Sequence, residues 1–163
     1  MLFVLFQLGN DRYALEARHV VEVVPLLLLK KFPQAPRGVA GVFAYRGQLV
    51  PAVDLCELMF DRPARERLST RIIVVDYGEA GGSRQLLGLI AERATATMKR
   101  DAGDFKDVGL NLAATPYLGP VLMDEKGGIQ LLYAQRLLDE NVRELLFAPT
   151  DRQSGVQKAG FNV

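Results

Sequence analysis

Cysteine is almost absent from this chain: Cys56 stands alone. A single thiol excludes an intramolecular disulfide and any multi-cysteine metal site, and its apolar setting, VDLCELM, reads as a small buried hydrophobe. Histidine is equally scarce. With only His19 there is no His-x-x-x-His pair for a metal and no histidine for a second catalytic role. There is no Gly-x-Ser-x-Gly elbow, and Gly81-Gly82 lacks the Lys-Ser or Lys-Thr of a phosphate loop. No apolar run approaches the ~18 residues of a membrane span. The opening MLFVLF is too short for a signal segment and has no basic residues before it. Charge of one sign is missing too. Lysine and arginine number 20 against 19 acids, a formal net charge of +1, so the whole-chain field is too weak to draw in nucleic acid or an anionic membrane. Together these absences predict a cytoplasmic, non-catalytic chain without cofactor, nucleic-acid partner or direct membrane insertion. Recognition then rests on shape and a few local contacts.

What is present is apolar and β-prone. About half of the 163 residues are hydrophobic, enough for a sizeable core in one domain or two small lobes. Leu2–Leu8 reads as a strand, Gly9-Asn10-Asp11 as a turn, and Arg12–Leu15 as the returning arm of a hairpin. Glu16–Arg18 suits a helical turn. Val20–Val24 is a β-branched strand ended by Pro25. The four leucines Leu26–Leu29 are expected to form another strand from their length and flanking prolines. Phe32–Gly38 is a connector. Val42–Tyr45 and Gln48–Val53 are strands around a tight Arg46-Gly47 turn, where Gly47 supplies a positive φ. Asp54 suits an N-cap for a short helix, Leu55–Phe60.

The second half continues in the same style. Arg71–Asp76, Gln85–Ala91, Ala94–Lys99, Tyr117–Met123 and Ile129–Leu132 are expected strands, with a glycine-rich turn at 78–83 and a long loop over 100–116. Tyr133–Phe147 is expected to be one helix with Leu138, Val142, Leu145 and Leu146 on a shared face. An internal echo runs through both halves at about 75–80 residues: YALEARHVVEVV resembles LGLIAERATATM in apolar pattern, and Gly41 and Gly119 occupy matching places. A duplicated lobe and chance similarity of short strands both account for it.

Pro51 inside an apolar strand implies an edge or a ladder gap. Arg46 at a hairpin tip is either solvated or positioned for a bidentate contact. The ordered set of APRGVAG, AYRGQ and VPAVDL within Ala35–Leu55 resembles the CheW family of chemotaxis coupling proteins. LGNDRYALEARHVVEVV before it, and LLGLIAERATATM and YLGPVLMDEKGGIQLLYAQRLL after it, are similar to the family's remaining hairpins and strands in the same order. The resemblance covers about residues 3 to 140.

That resemblance implies a mostly β fold: two small five-stranded SH3-like barrels sharing a hydrophobic interface, with short helices and a C-terminal helix. Residues 1–148 would form this single domain and 149–163 a polar, flexible tail. It implies a non-catalytic adaptor that couples the cytoplasmic tip of a methyl-accepting chemoreceptor to the regulatory domain of a CheA-type histidine kinase, in arrays at the inner membrane. Kinase contact and coupling would map onto Val20, Glu22 and Val23 and onto Arg46 with Gly47, and the receptor tip onto an apolar groove between the barrels. Ala44 stands where the family commonly has asparagine, and Glu92 where an aspartate is usual. These departures point to a specialised array not governing flagella. A stand-alone SH3-like binding module with other protein partners is the alternative.

Overall fold

The computed structural model describes residues 1–78, 84–109 and 113–147. Among these residues nine strands fall in chain order: β1 (Leu2–Leu8), β2 (Asp11–Glu16), β3 (Val20–Pro25), β4 (Val39–Tyr45), β5 (Gln48–Asp54), β6 (Arg71–Asp76), β7 (Leu86–Lys99), β8 (Leu118–Asp124) and β9 (Gly127–Leu132). Two short α-helices, α1 (Leu55–Phe60) and α2 (Glu140–Leu146), follow β5 and β9. The first barrel runs β7-β1-β2-β9-β8 and the second β3-β6-β7-β5-β4, so the long β7 serves both.

The internal echo is real. In the first barrel β2 pairs parallel with β9, Arg12 to Ile129 and Ala14 to Leu131; in the second β7 pairs parallel with β5, Gly88 to Ala52 and Ile90 to Asp54. Each half contributes a hairpin, a third strand that crosses into the other barrel, and a final hairpin. β3 makes that crossing in the first half and the end of β7 makes it in the second. Even the connectors correspond, since Lys30 bridges to Val42 on β4 and Lys106 to Val121 on β8.

Three apolar clusters follow from this layout. Phe43, Tyr45, Val50, Ile72, Val74 and Ile90 fill the second barrel. Phe3, Phe105, Leu122, Ile129 and Leu131 fill the first. Val4, Phe6, Leu15, Ile73, Val75, Leu87 and Leu89 close the seam between them. β6 therefore buries both faces, Ile72 and Val74 to one cluster and Ile73 and Val75 to the other, and its sequence RIIVVD shows no polar alternation. Gly88 is required by Phe43: a Cβ there would lie 2.5 Å from the Phe43 ring and 2.8 Å from Ile72. Pro51 lies just before β5 takes up β7 at Ala52, so its missing N–H falls outside that ladder.

Three sequence expectations are corrected. Leu26–Leu29 forms no strand; Leu26 and Leu29 turn inward onto the second barrel's cluster while Leu27 and Leu28 point out, a split that a pleated strand would not give over four residues. The expected pair of strands at 85–91 and 94–99 is one continuous strand, β7, kinked at Arg93 with φ 47° where it passes between barrels. The C-terminal helix is interrupted. Ala134–Arg136 is a 3₁₀ turn, the Tyr77 hydroxyl donates to the Gln135 carbonyl and accepts from the Leu138 amide, and extended Asp139 then caps α2 through the Val142 amide. Leu145, expected on the buried face, is 62% exposed. The sequence-expected turn at 78–83 falls largely outside the described residues, as does the tail at 149–163.

Candidate functional site

β3 carries an extra residue between Val20, opposite Val75, and Glu22, opposite Val74. This bulge re-aims the strand. Val20 and Val23 are half-buried against the seam cluster, and Val21 and Val24 against the second barrel's interior. Glu22 is left at the surface. β3 pairs with β6 along one side only, and among the described strands none flanks its other side. Its outer backbone is an open edge of the kind that accepts another chain.

The β4–β5 turn comes to meet Glu22. Arg46 and Gly47 both take positive φ, 46° and 80°, the geometry of a two-residue hairpin turn that follows the twist of the strands. Arg46 Nη2 donates to Glu22 Oε1 at 2.8 Å, and the Tyr45 hydroxyl donates to the same oxygen at 2.6 Å. The guanidinium lies over the Tyr45 ring, 5.2 Å from its centroid. The carboxylate partner raises the Tyr45 hydroxyl pKa, because losing that proton would set two anions against each other. Thus Glu22 and Arg46, 24 residues apart, are one surface ion pair with side chains 41% and 69% exposed. Tyr45 was not singled out from sequence, although its place next to Arg46 in a strand with buried alternate residues was a usable signal. Val20 and Val23 are not part of this cluster; they offer the β3 edge more than their side chains.

A second carboxylate works differently. Glu92, on β7 where the strand changes barrels, is buried and accepts from the Gly9 and Arg65 amides and from both Nη atoms of Arg62, at 2.7 to 3.2 Å. The Arg62 hydrogen bonds, outweighing burial, hold its pKa down at about 2. This ties the Gly9 turn and the loop after α1 to the strand joining the barrels. Asp54 behaves as the sequence predicts, capping α1 through the Cys56 and Glu57 amides and also holding the Ala64 amide. Burial pushes its pKa up.

Cys56 is buried, and desolvation drives its thiol up to about 12, so it is an inert core residue. Glu16 and His19 stand in a Glu-x-x-His spacing with Nε2 3.4 Å from the carboxylate. Among the described residues, however, no three metal-ligating side chains converge. The seam between the barrels carries a groove of about 290 Å³ floored by Leu15, Val20, Val75 and Leu132, and a second of about 390 Å³ lined by Leu58, Met59, Tyr117 and Leu138. Among the described residues no helix is long and apolar enough to cross a membrane.

The family described as CheW-like domain matches residues 2–142, nearly the whole two-barrel unit. The chain belongs to the CheW-like domain family. Two curated relatives agree with this. The chemotaxis protein CheW of Helicobacter pylori is 28% identical over 107 residues, covering 65% of this chain and 61% of that protein. Protein FrzA of Myxococcus xanthus is 28% identical over 139 residues, covering 83% and 84%. Among solved structures, the scaffolding protein TtCheW from Thermoanaerobacter tengcongensis superposes with a TM-score of 0.72 at 22% identity, over 86% of this chain and 89% of that one. The CheW-like fold thus accounts for both barrels, and its Arg46–Glu22 pair sits at the tip of the second.

Proposed function

We propose that this CheW-like chain is an adaptor coupling the cytoplasmic tip of a methyl-accepting chemoreceptor to the regulatory domain of a CheA-type histidine kinase. The observation that carries the reading is the Glu22–Arg46 pair, exposed at the open edge of β3. An arginine already matched to a carboxylate presents fixed, directional donors and costs little to reorganise on binding. The bare β3 backbone beside it gives a partner main-chain hydrogen bonds, and the seam grooves accept apolar helical surface. Contact is assigned to the β3 edge over Val20 to Val23, to Glu22, and to the Arg46-Gly47 tip. We assign the chain to a specialised array rather than the flagellar one on the departure from the family's asparagine at Ala44, a residue exposed next to that tip.

The test is joint recovery of a receptor-tip fragment and the kinase regulatory domain on immobilised adaptor. Arg46→Glu and Glu22→Arg are each expected to lower recovery of the ternary assembly at least severalfold, with melting temperatures close to the parent. The double exchange rebuilds the internal pair with reversed polarity and is expected to stay folded yet bind poorly. Unchanged recovery with both single variants would sink the site assignment.

A further inference from the structure

The connector between β3 and β4 is a strongly apolar segment that the second barrel absorbs only in part. Leu28 is 97% exposed, Phe32 44% and Leu27 38%. The segment is nevertheless fixed. Lys30 exchanges both backbone hydrogen bonds with Val42, each 2.9 Å, and Leu26 and Leu29 anchor it to the second barrel's cluster. Gly41 makes the clamp possible, since a Cβ there would come within 2.2 Å of the Lys30 carbonyl. Outward leucines on a clamped connector are therefore held out by the fold.

Along the chain the charge beside them is one-sided. Between Glu22 and Asp54 the sequence has no acid, yet it has Lys30, Lys31, Arg37 and Arg46. Arg46 is matched by Glu22 and Arg37 by Asp61. Among the described residues Lys30 and Lys31 have no ion-pair partner. The near-zero net charge, which argued against an anionic surface, hides this local excess.

We infer that the Leu27-Leu28-Lys30-Lys31-Phe32 tip is a peripheral docking element for an anionic lipid surface. The three apolar side chains enter the boundary between headgroups and acyl chains, and the two lysines meet lipid phosphates. The insertion is a few side chains deep and needs no spanning segment. A residue as exposed as Leu28 lies on no groove wall, and a two-fold contact between copies through this tip would set the lysine pairs against each other. Lys31 and Phe32 also line a recess that holds the acids Asp54, Glu57 and Glu66, so a bilayer is met with Leu27, Leu28 and Lys30 leading and that recess turned away from it.

The experiment is co-sedimentation of the full chain with vesicles of phosphatidylcholine, alone or with about a third phosphatidylglycerol. Binding is expected only to the anionic vesicles and is expected to weaken with added salt. Leu27→Ser with Leu28→Ser should lower the partition coefficient about tenfold, as loss of two partly inserted leucines implies. Lys30→Gln with Lys31→Gln should lower it similarly and remove most of the salt dependence. Both variants change exposed side chains, and an unchanged melting temperature checks that they fold. Equal sedimentation of parent and leucine variant overturns the inference, as does absence of binding to anionic vesicles. Concentration-dependent dimerisation abolished by the leucine variant, without vesicle binding, would overturn it in favour of a second copy.

Discussion

Glu92 and Glu22 each accept an arginine, and they are built for opposite purposes. Glu92 has 9% of its side chain exposed and spends every lone pair on atoms of its own chain: two backbone amides and a bidentate guanidinium. Glu22 is 41% exposed and, among the described residues, accepts at a single oxygen. A buried carboxylate satisfied on all sides organises a fold, because removing its partners leaves a charge that nothing hydrates. A half-satisfied one at the surface contributes little to stability, because water competes for it, and it can exchange partners at small cost. Geometry, more than residue type, separates scaffold from contact.

The comparison breaks most sharply at Glu92. Glu92→Ala leaves the Gly9 and Arg65 amides and the partly exposed Arg62 guanidinium without their acceptor, and should cost about 2–4 kcal/mol, read by urea unfolding. A loss below about 1 kcal/mol would mean that Glu92 is no hub. Acid titration sharpens the same point. The folded pKa of Glu92, about 2, lies below its unfolded value of 4.5, so its stabilisation is full above about pH 5 and is lost as pH falls towards 2. That loss amounts to roughly 2–3 kcal/mol. Asp124, held at about 2 by Arg12, titrates in the same window, so the measurement is the difference in pH dependence between the parent and Glu92→Gln. At the small end stands Glu22→Gln, expected to change stability by less than about 1 kcal/mol. If it unfolds the domain, the division between the two carboxylates fails.

The order of elements was legible because punctuation was local. Gly9-Asn10-Asp11, Arg46-Gly47 and Asp54 announce two turns and a cap by backbone chemistry and Pro25 announces a strand end, and the structure puts each of them there. Where tertiary contacts decided, sequence reading failed. Glu92-Arg93 looks like a break between strands, yet Glu92 is buried inside β7 because Arg62, distant in sequence, neutralises it. The helix expected from Tyr133 is interrupted because Tyr77 holds the Gln135 carbonyl and Asp139 caps a new start. At the candidate site, Glu22 and Arg46 were each identified through resemblance. That they join, with Tyr45 as a third member, follows from the β3 bulge and the turn geometry, which no spacing rule contains.

The crossing of β3 and of the end of β7 into opposite barrels bears on how the chain is made. Neither barrel can close until strands from both halves exist, since the first needs β7, β8 and β9 and the second needs β6 and β7. While a ribosome has delivered only β1 to β5, two hairpins and an unpaired β3 wait with apolar faces uncovered, a state open to capture by chaperones or by neighbouring nascent chains. The interlacing thus leaves the second barrel exposed to misassembly until β6 and β7 emerge, and the first until β8 and β9 follow.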